Sequence, residues 1–184
     1  MSSVDVLLAE HRMIARMVSI IEAVAARLDA GHEVPTRLLT DVMDFSEHFT
    51  SNCHHAKEEH HLFPMLAEHG MSLDSSPIAA LREQHEANHA YLREMHDALT
   101  RIRAGDPQAR KTFAASARDY GRLIREHMRI EDHYFQDVAS ILSPEEEATL
   151  ASRMAAIDQA CARAGTRSRY EQMLDHCEEL IRTW

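Results

Sequence analysis

Aromatic residues are scarce in this chain, 5% of 184, while Ala, Leu, Met, Glu and Arg are common. That balance disfavours a sheet core and favours helix. Five glycines and five prolines are sparse punctuation, which leaves room for long uninterrupted elements. The three cysteines, Cys53, Cys161 and Cys177, are odd in number and form no CxxC pair. Neither a disulfide framework nor a zinc-thiolate site is expected, and all three are read as small packing residues. No apolar run reaches the roughly 18 residues of a membrane span. No Lys/Arg cluster is present, and the net charge of -10 repels phosphate backbones, which argues against a nucleic-acid partner. The opening Met1-Ser2-Ser3-Val4-Asp5 lacks the basic and apolar regions of a signal peptide, so a cytoplasmic location is expected.

Histidine, by contrast, is abundant, with 14 copies. Breakers at Gly31/Pro35, Gly70 with Ser75-Ser76-Pro77, Gly105-Asp106-Pro107, Ser143-Pro144 and Gly165 divide the chain into segments. Ser3, Thr36, Ser76, Ser143 and Thr166 stand where N-caps are expected. Within the segments apolar residues recur every three or four positions, as in Leu7, Ile14, Val18, Ile21, Ala25 and Leu28. The expected fold is all-α: an up-down-up-down four-helix bundle over residues 1–142 and two extra C-terminal helices over 143–184. The tail helices, with apolar faces at Leu150, Met154, Ile157 and at Tyr170, Met173, Leu174, are expected to pack on the bundle or to support a homodimer.

The apolar seams are interrupted by polar residues at matching depth. His11 takes a core position in the first helix; His85 and His89 share a face of the third; His127 and Glu131 share a face of the fourth. The second helix offers two pairs at the same spacing, His54/Glu58 and His55/Glu59. One buried histidine has an ordinary explanation as a satisfied core residue, and one His-x-x-x-Glu pair as a helical contact. Four successive helices each burying such groups need a common compensator, since unpaired buried charge costs several kcal/mol. A pair of divalent metal ions supplies it, and imidazole with carboxylate but no thiolate points to iron, or to manganese or zinc.

On these residues the chain resembles the hemerythrin-like, or HHE cation-binding, family. The stretches that carry the likeness are HHAKEEHHLFP from His54 to Pro64 and HMRIED from His127 to Asp132, and it covers roughly residues 5 to 142. The resemblance implies metal ligands at His11, His54, Glu58, His85, His127 and Glu131, with Glu58 and Glu131 bridging two iron ions that also share an oxo or hydroxo bridge. His89 aligns with a further third-helix ligand of oxygen-carrying hemerythrins. Those proteins place an Asp at the position of Asp132; Glu131 therefore groups this chain with the broader family rather than with simple oxygen carriers. The second helix stays open at this stage: family alignment selects His54 and Glu58, whereas unbroken periodicity through Phe45, Phe49, Leu62 and Leu66 selects His55 and Glu59. A bulge near Cys53 would reconcile them.

The expected function is binding or sensing of a small diatomic, O2 or NO, at a di-iron centre in a dry pocket. The alternatives are a di-iron enzyme (an oxidase, a peroxide- or NO-consuming catalyst, or an iron donor for repair) and a helical interaction module with a structural metal. No cofactor loop or nucleophile elbow favours the enzyme, so a ligand-binding protein is the preferred reading.

Overall fold

The computed structural model describes residues 2–138 and 140–184, without the side chains of Gln136 and Asp137. Among these residues all regular structure is helical. Helix α1 spans Ser3–Asp29. A second rod, α2, runs over 36–68 as Thr36–Asp44, two π-helical stretches at Phe45–His55 and Glu58–Leu62, and Phe63–Glu68. Helices α3 (Ile78–Arg103), α4 (Ala109–Val138), α5 (Pro144–Cys161) and α6 (Arg167–Ile181) follow. No described helix is long and apolar enough to cross a membrane.

The ends follow local chemistry. Ser143 and Thr166 cap α5 and α6 through their hydroxyls as expected. The cap of α1 is Ser2, one residue before Ser3, in a capping box with Asp5, and Pro35 rather than Thr36 precedes α2. After α1 the chain reverses at Gly31, with φ of +78°, a conformation that only glycine adopts freely.

The wide turns of α2 include Cys53, where a bulge was expected to reconcile alignment with periodicity. Their backbone hydrogen bonds reach five residues back rather than four. Phe45, Phe49 and His54 are thereby buried together with Ser46, Ser51 and His55, and Ser51 Oγ donates to the Ser46 carbonyl five residues back at 3.2 Å. An α-helix would have had to choose between the two sets.

Two apolar clusters fill the interior. One joins Ile14, Val18 and Ile21 of α1 to Val42 and Phe45 of α2, Met95 and Leu99 of α3, Phe113 and Ile124 of α4, and Tyr170, Leu174 and Cys177 of α6. The other joins Leu7, Leu62, Phe63, Leu81, Phe135 and Val138 to Leu150 and Met154 of α5. Both tail helices thus pack onto the first four rods. Between the clusters lies one buried polar layer that contains His11, His54, His55, Glu58, His85, His127 and Glu131.

Cys161 is not a simple packing residue. It is joined to Cys53 by a disulfide across 108 positions, which corrects the sequence expectation; only Cys177 stays free, and it is buried.

Candidate metal centre

The polar layer has a definite order. Glu58 and Glu131 are fully buried, and none of their four carboxylate oxygens accepts a hydrogen bond. Imidazole nitrogens nevertheless crowd them. Glu58 reaches His54 Nε2 with one oxygen and His85 Nε2 with the other, each at 3.4 Å. Glu131 Oε2 lies 3.2 Å from His11 Nε2 and 3.0 Å from His127 Nε2. The nitrogens also face one another in pairs, His11 with His54 at 3.1 Å and His85 with His127 at 3.2 Å. Atoms bonded at roughly 2.1 Å to one cation and at right angles around it lie about 3 Å apart. Donor atoms of His11, His54, Glu58 and Glu131 all lie within 4.8 Å of one another, as do those of Glu58, His85, His127 and Glu131 and those of His55, His85 and His127. Two metal-sized sets therefore share both carboxylates.

The opposite edge of each imidazole is tied down. His54 Nδ1 lies 3.0 Å from Glu10 Oε2, His85 Nδ1 2.5 Å from Glu59 Oε1, His127 Nδ1 3.0 Å from Gln84 Oε1, and His11 Nδ1 2.7 Å from Asp132 Oδ1. In each case the Nδ1–H donates to an oxygen, which leaves Nε2 as the free lone pair, the arrangement of metal-bound histidine. The four bonds form a closed ring. Residue 10 of α1 holds the histidine of α2; residue 59 of α2 holds that of α3; residue 84 of α3 holds that of α4; residue 132 of α4 holds that of α1. Each acceptor is the immediate sequence neighbour of a residue in the layer.

Charge follows the same geometry. Burial works against a charged His11, but Glu131, Glu58 and Asp132 around it carry its pKa up to about 9. His85 also rises to about 9 against burial, through Glu58, Glu59 and Glu131. Burial favours a neutral Glu131, yet His127 and His11 hold its carboxyl well below the usual range. His55 is driven the other way: burial first, then His85 and His127, push its pKa well below 6.5. Neither ring nitrogen of His55 has a partner, and its ring stacks on His85 with centroids 4.0 Å apart.

Of the residues singled out from sequence, His11, His54, Glu58, His85, His127 and Glu131 are brought together. His55 joins them through its group with His85 and His127. Glu59 sits one step outside, as the acceptor for His85. His89 belongs to none of these groups among the described residues; it is half-buried and lines a separate surface cavity with Glu47 and His96. The inward residue beside it is Asn88, which donates to Ser51 Oγ at 2.8 Å. Sequence reasoning missed Glu10, Lys57 and Gln84. Their signal was adjacency, since each directly precedes a residue of the layer. Lys57 is fully buried and donates to Glu10.

No curated protein and no solved structure matches the chain. The family model of the hemerythrin HHE cation-binding domain matches residues 2–139, a span that contains every residue of the polar layer. A cation-binding assignment agrees with buried carboxylates that accept no hydrogen bond, and the chain belongs to the hemerythrin HHE cation-binding family.

Proposed function

We propose that the chain is an up-down-up-down four-helix bundle that holds two iron ions and binds a small diatomic, O2 or NO. One ion would be held by His11, His54, Glu58 and Glu131, the other by His55, His85, His127 and the same two carboxylates. The observation that carries this reading is the pair of buried carboxylates without hydrogen bonds, each between imidazoles whose far nitrogens are already engaged. His55 takes the place that the family resemblance gives to His89, and the ring of outer bonds from α1 to α2, α3, α4 and back supports the cyclic order of rods. Iron in this setting supplies a reversible one-electron change at each ion and an affinity for diatomic ligands.

The chain's own groups do the rest. Glu10, Glu59, Gln84 and Asp132 fix the imidazole tautomers and aim them. Phe135 stacks on His11 with centroids 5.6 Å apart, and Leu7 and Ile14 are 0% and 1% exposed; they add apolar packing on the inner side of the His11 ring. The His11 side offers two imidazoles where the other offers three, so an ion held here would have room for an exchangeable ligand. A surface depression lined by His11, Ala15, Met128 and Asp132 gives a small molecule its approach. Tyr134, by contrast, directs its hydroxyl to Met71 Sδ at 3.1 Å.

The test is metal content with an optical spectrum. Iron-loaded protein is expected to carry two ions per chain and to change its visible bands reversibly when the reduced form meets O2 or NO. Glu131→Ala should lose most of the iron, His55→Ala should lose part, and His89→Ala should keep all of it. Full iron in Glu131→Ala, or a requirement for His89, would sink the assignment.

A further inference from the structure

Helix α5 touches α2 at two points one helical turn apart. Cys161 is bonded to Cys53, and Asp158 accepts from Lys57 Nζ at 2.5 Å. On α2 Cys53 directly precedes His54 and Lys57 directly precedes Glu58. Lys57 also donates to Glu10, the carboxylate that accepts from His54 Nδ1 at 3.0 Å. One face of α5 therefore bears on the group that aims His54.

The two sulfurs are not equally placed. Cys53 is 6% exposed, whereas Cys161, the last residue of α5, is only half-buried. Both line a cavity of about 230 Å³, together with Glu10, Phe49, Asp158 and Arg167. Asp158 and Arg167 are exposed, so the cavity opens to solvent. A protein cavity of roughly 150 Å³ admits a benzene molecule; this one has room for the reacting end of a small thiol. Thiol–disulfide exchange depends on such access to one sulfur.

We propose that Cys53 and Cys161 form a second reactive site, a dithiol–disulfide couple that exchanges with small-molecule thiols through this cavity. Opening it slackens the hold of α5 on α2 and, resting on the metal reading above, on the His54 side of the centre. A thiol RSH ionises and its thiolate attacks Cys161 Sγ. The new RS–Sγ bond forms as the protein disulfide breaks, and the electron pair leaves on Cys53 Sγ, which takes up the proton. A second thiolate attacks the RS sulfur of the mixed disulfide, RSSR departs, and Cys161 becomes a thiol. Two RSH are oxidised to RSSR while the protein disulfide gains two electrons; RSSR reverses the sequence.

The experiment uses the full chain without metal, treated under native conditions with reduced or oxidised glutathione, then acid-quenched, unfolded and assayed for thiols. The count should rise from one, Cys177, to three with reduced glutathione, and return to one with oxidised glutathione. Hydrogen exchange in residues 45–62 and 144–161 should quicken on reduction, and Cys161→Ser should show the same quickened exchange without any reductant. A count fixed at one until the chain is unfolded would make the bond a structural staple and overturn the proposal; so would three thiols under both treatments, or reduction without any change in exchange. In iron-loaded protein, reduction should speed metal loss to a chelator by on the order of tenfold. That arm fails alone if the metal reading is wrong, because the thiol count and exchange need no metal.

Discussion

At the scale of single residues, the decisive contrast is between two histidines next to each other in sequence. His54 has one nitrogen on Glu10 and the other facing His11; His55 has neither nitrogen engaged and packs flat on His85. The titration of His55 runs opposite to that of His11 and His85, and this sets a pH signature for the metal-free chain. His11 and His85 have pKa values of about 9 against 6.5 in the unfolded chain. Their stabilisation is complete below 6.5 and is lost as the pH rises through about 9. The pKa of His55 is depressed below 6.5, so its contribution is present above that value and is lost on acidification. Urea unfolding of metal-free protein should give a midpoint that is highest near pH 6.5 and lower at pH 9. Bound cations replace the protons on His11 and His85, so the alkaline decline should flatten in iron-loaded protein, and loading near neutral pH should release protons. An unchanged alkaline limb after loading would mean that the ions bind elsewhere. His11, His85, His127 and Glu131 were legible in sequence because they interrupt apolar seams, whereas His54 and Glu58 were named by the family resemblance against the periodicity of their helix. The outer acceptors were not, because a lone Glu or Gln beside a histidine is what any solvated helix face presents.

At the scale of elements, α2 carries the least regular backbone and the most chemistry. The π-helical stretch at Phe45–His55 buries both His54 and His55, the two residues between which alignment and periodicity divided. Helical character was readable from spacing, and the conflict between alignment and periodicity pointed to a bulge near Cys53, which the π-helical stretch contains; its length was not readable. A wide turn behaves as an α-helix with a residue inserted. Deleting the exposed Asn52 should therefore restore tighter turns, leave far-UV circular dichroism almost unchanged, and rotate His54 and Glu58 away from the layer, with loss of most of the iron. Retained iron in this deletion would show that the wide turns do not set the ligand register. The Cys53–Cys161 bond belongs at this scale too. Two cysteines 108 positions apart meet only because α5 docks on α2, and no local pattern encodes that docking; an odd cysteine count pointed away from it.

At the scale of the whole molecule, the polar layer survives because apolar clusters seal it above and below, and both clusters borrow from the tail. Leu174 of α6 is fully buried against the cluster that contains Ile14 and Phe49. Leu174→Ala should cost about 3 kcal/mol, which lowers the thermal midpoint by roughly 10 °C in a chain of this size. Calorimetry checks this, and a shift below a third of that value would mean that α6 is loosely held. Leu150 and Met154 of α5 and Tyr170 and Cys177 of α6 are buried in the same two clusters. The ring of acceptors constrains the four rods further. Each rod gives an oxygen to one neighbour and takes one from the other, so a rod that turned about its own axis would break a bond on both sides. Twisting is thereby closed as a way for an event at the centre to reach the surface. Any displacement there is left to sliding along the rods or to a shift of α5 against α2.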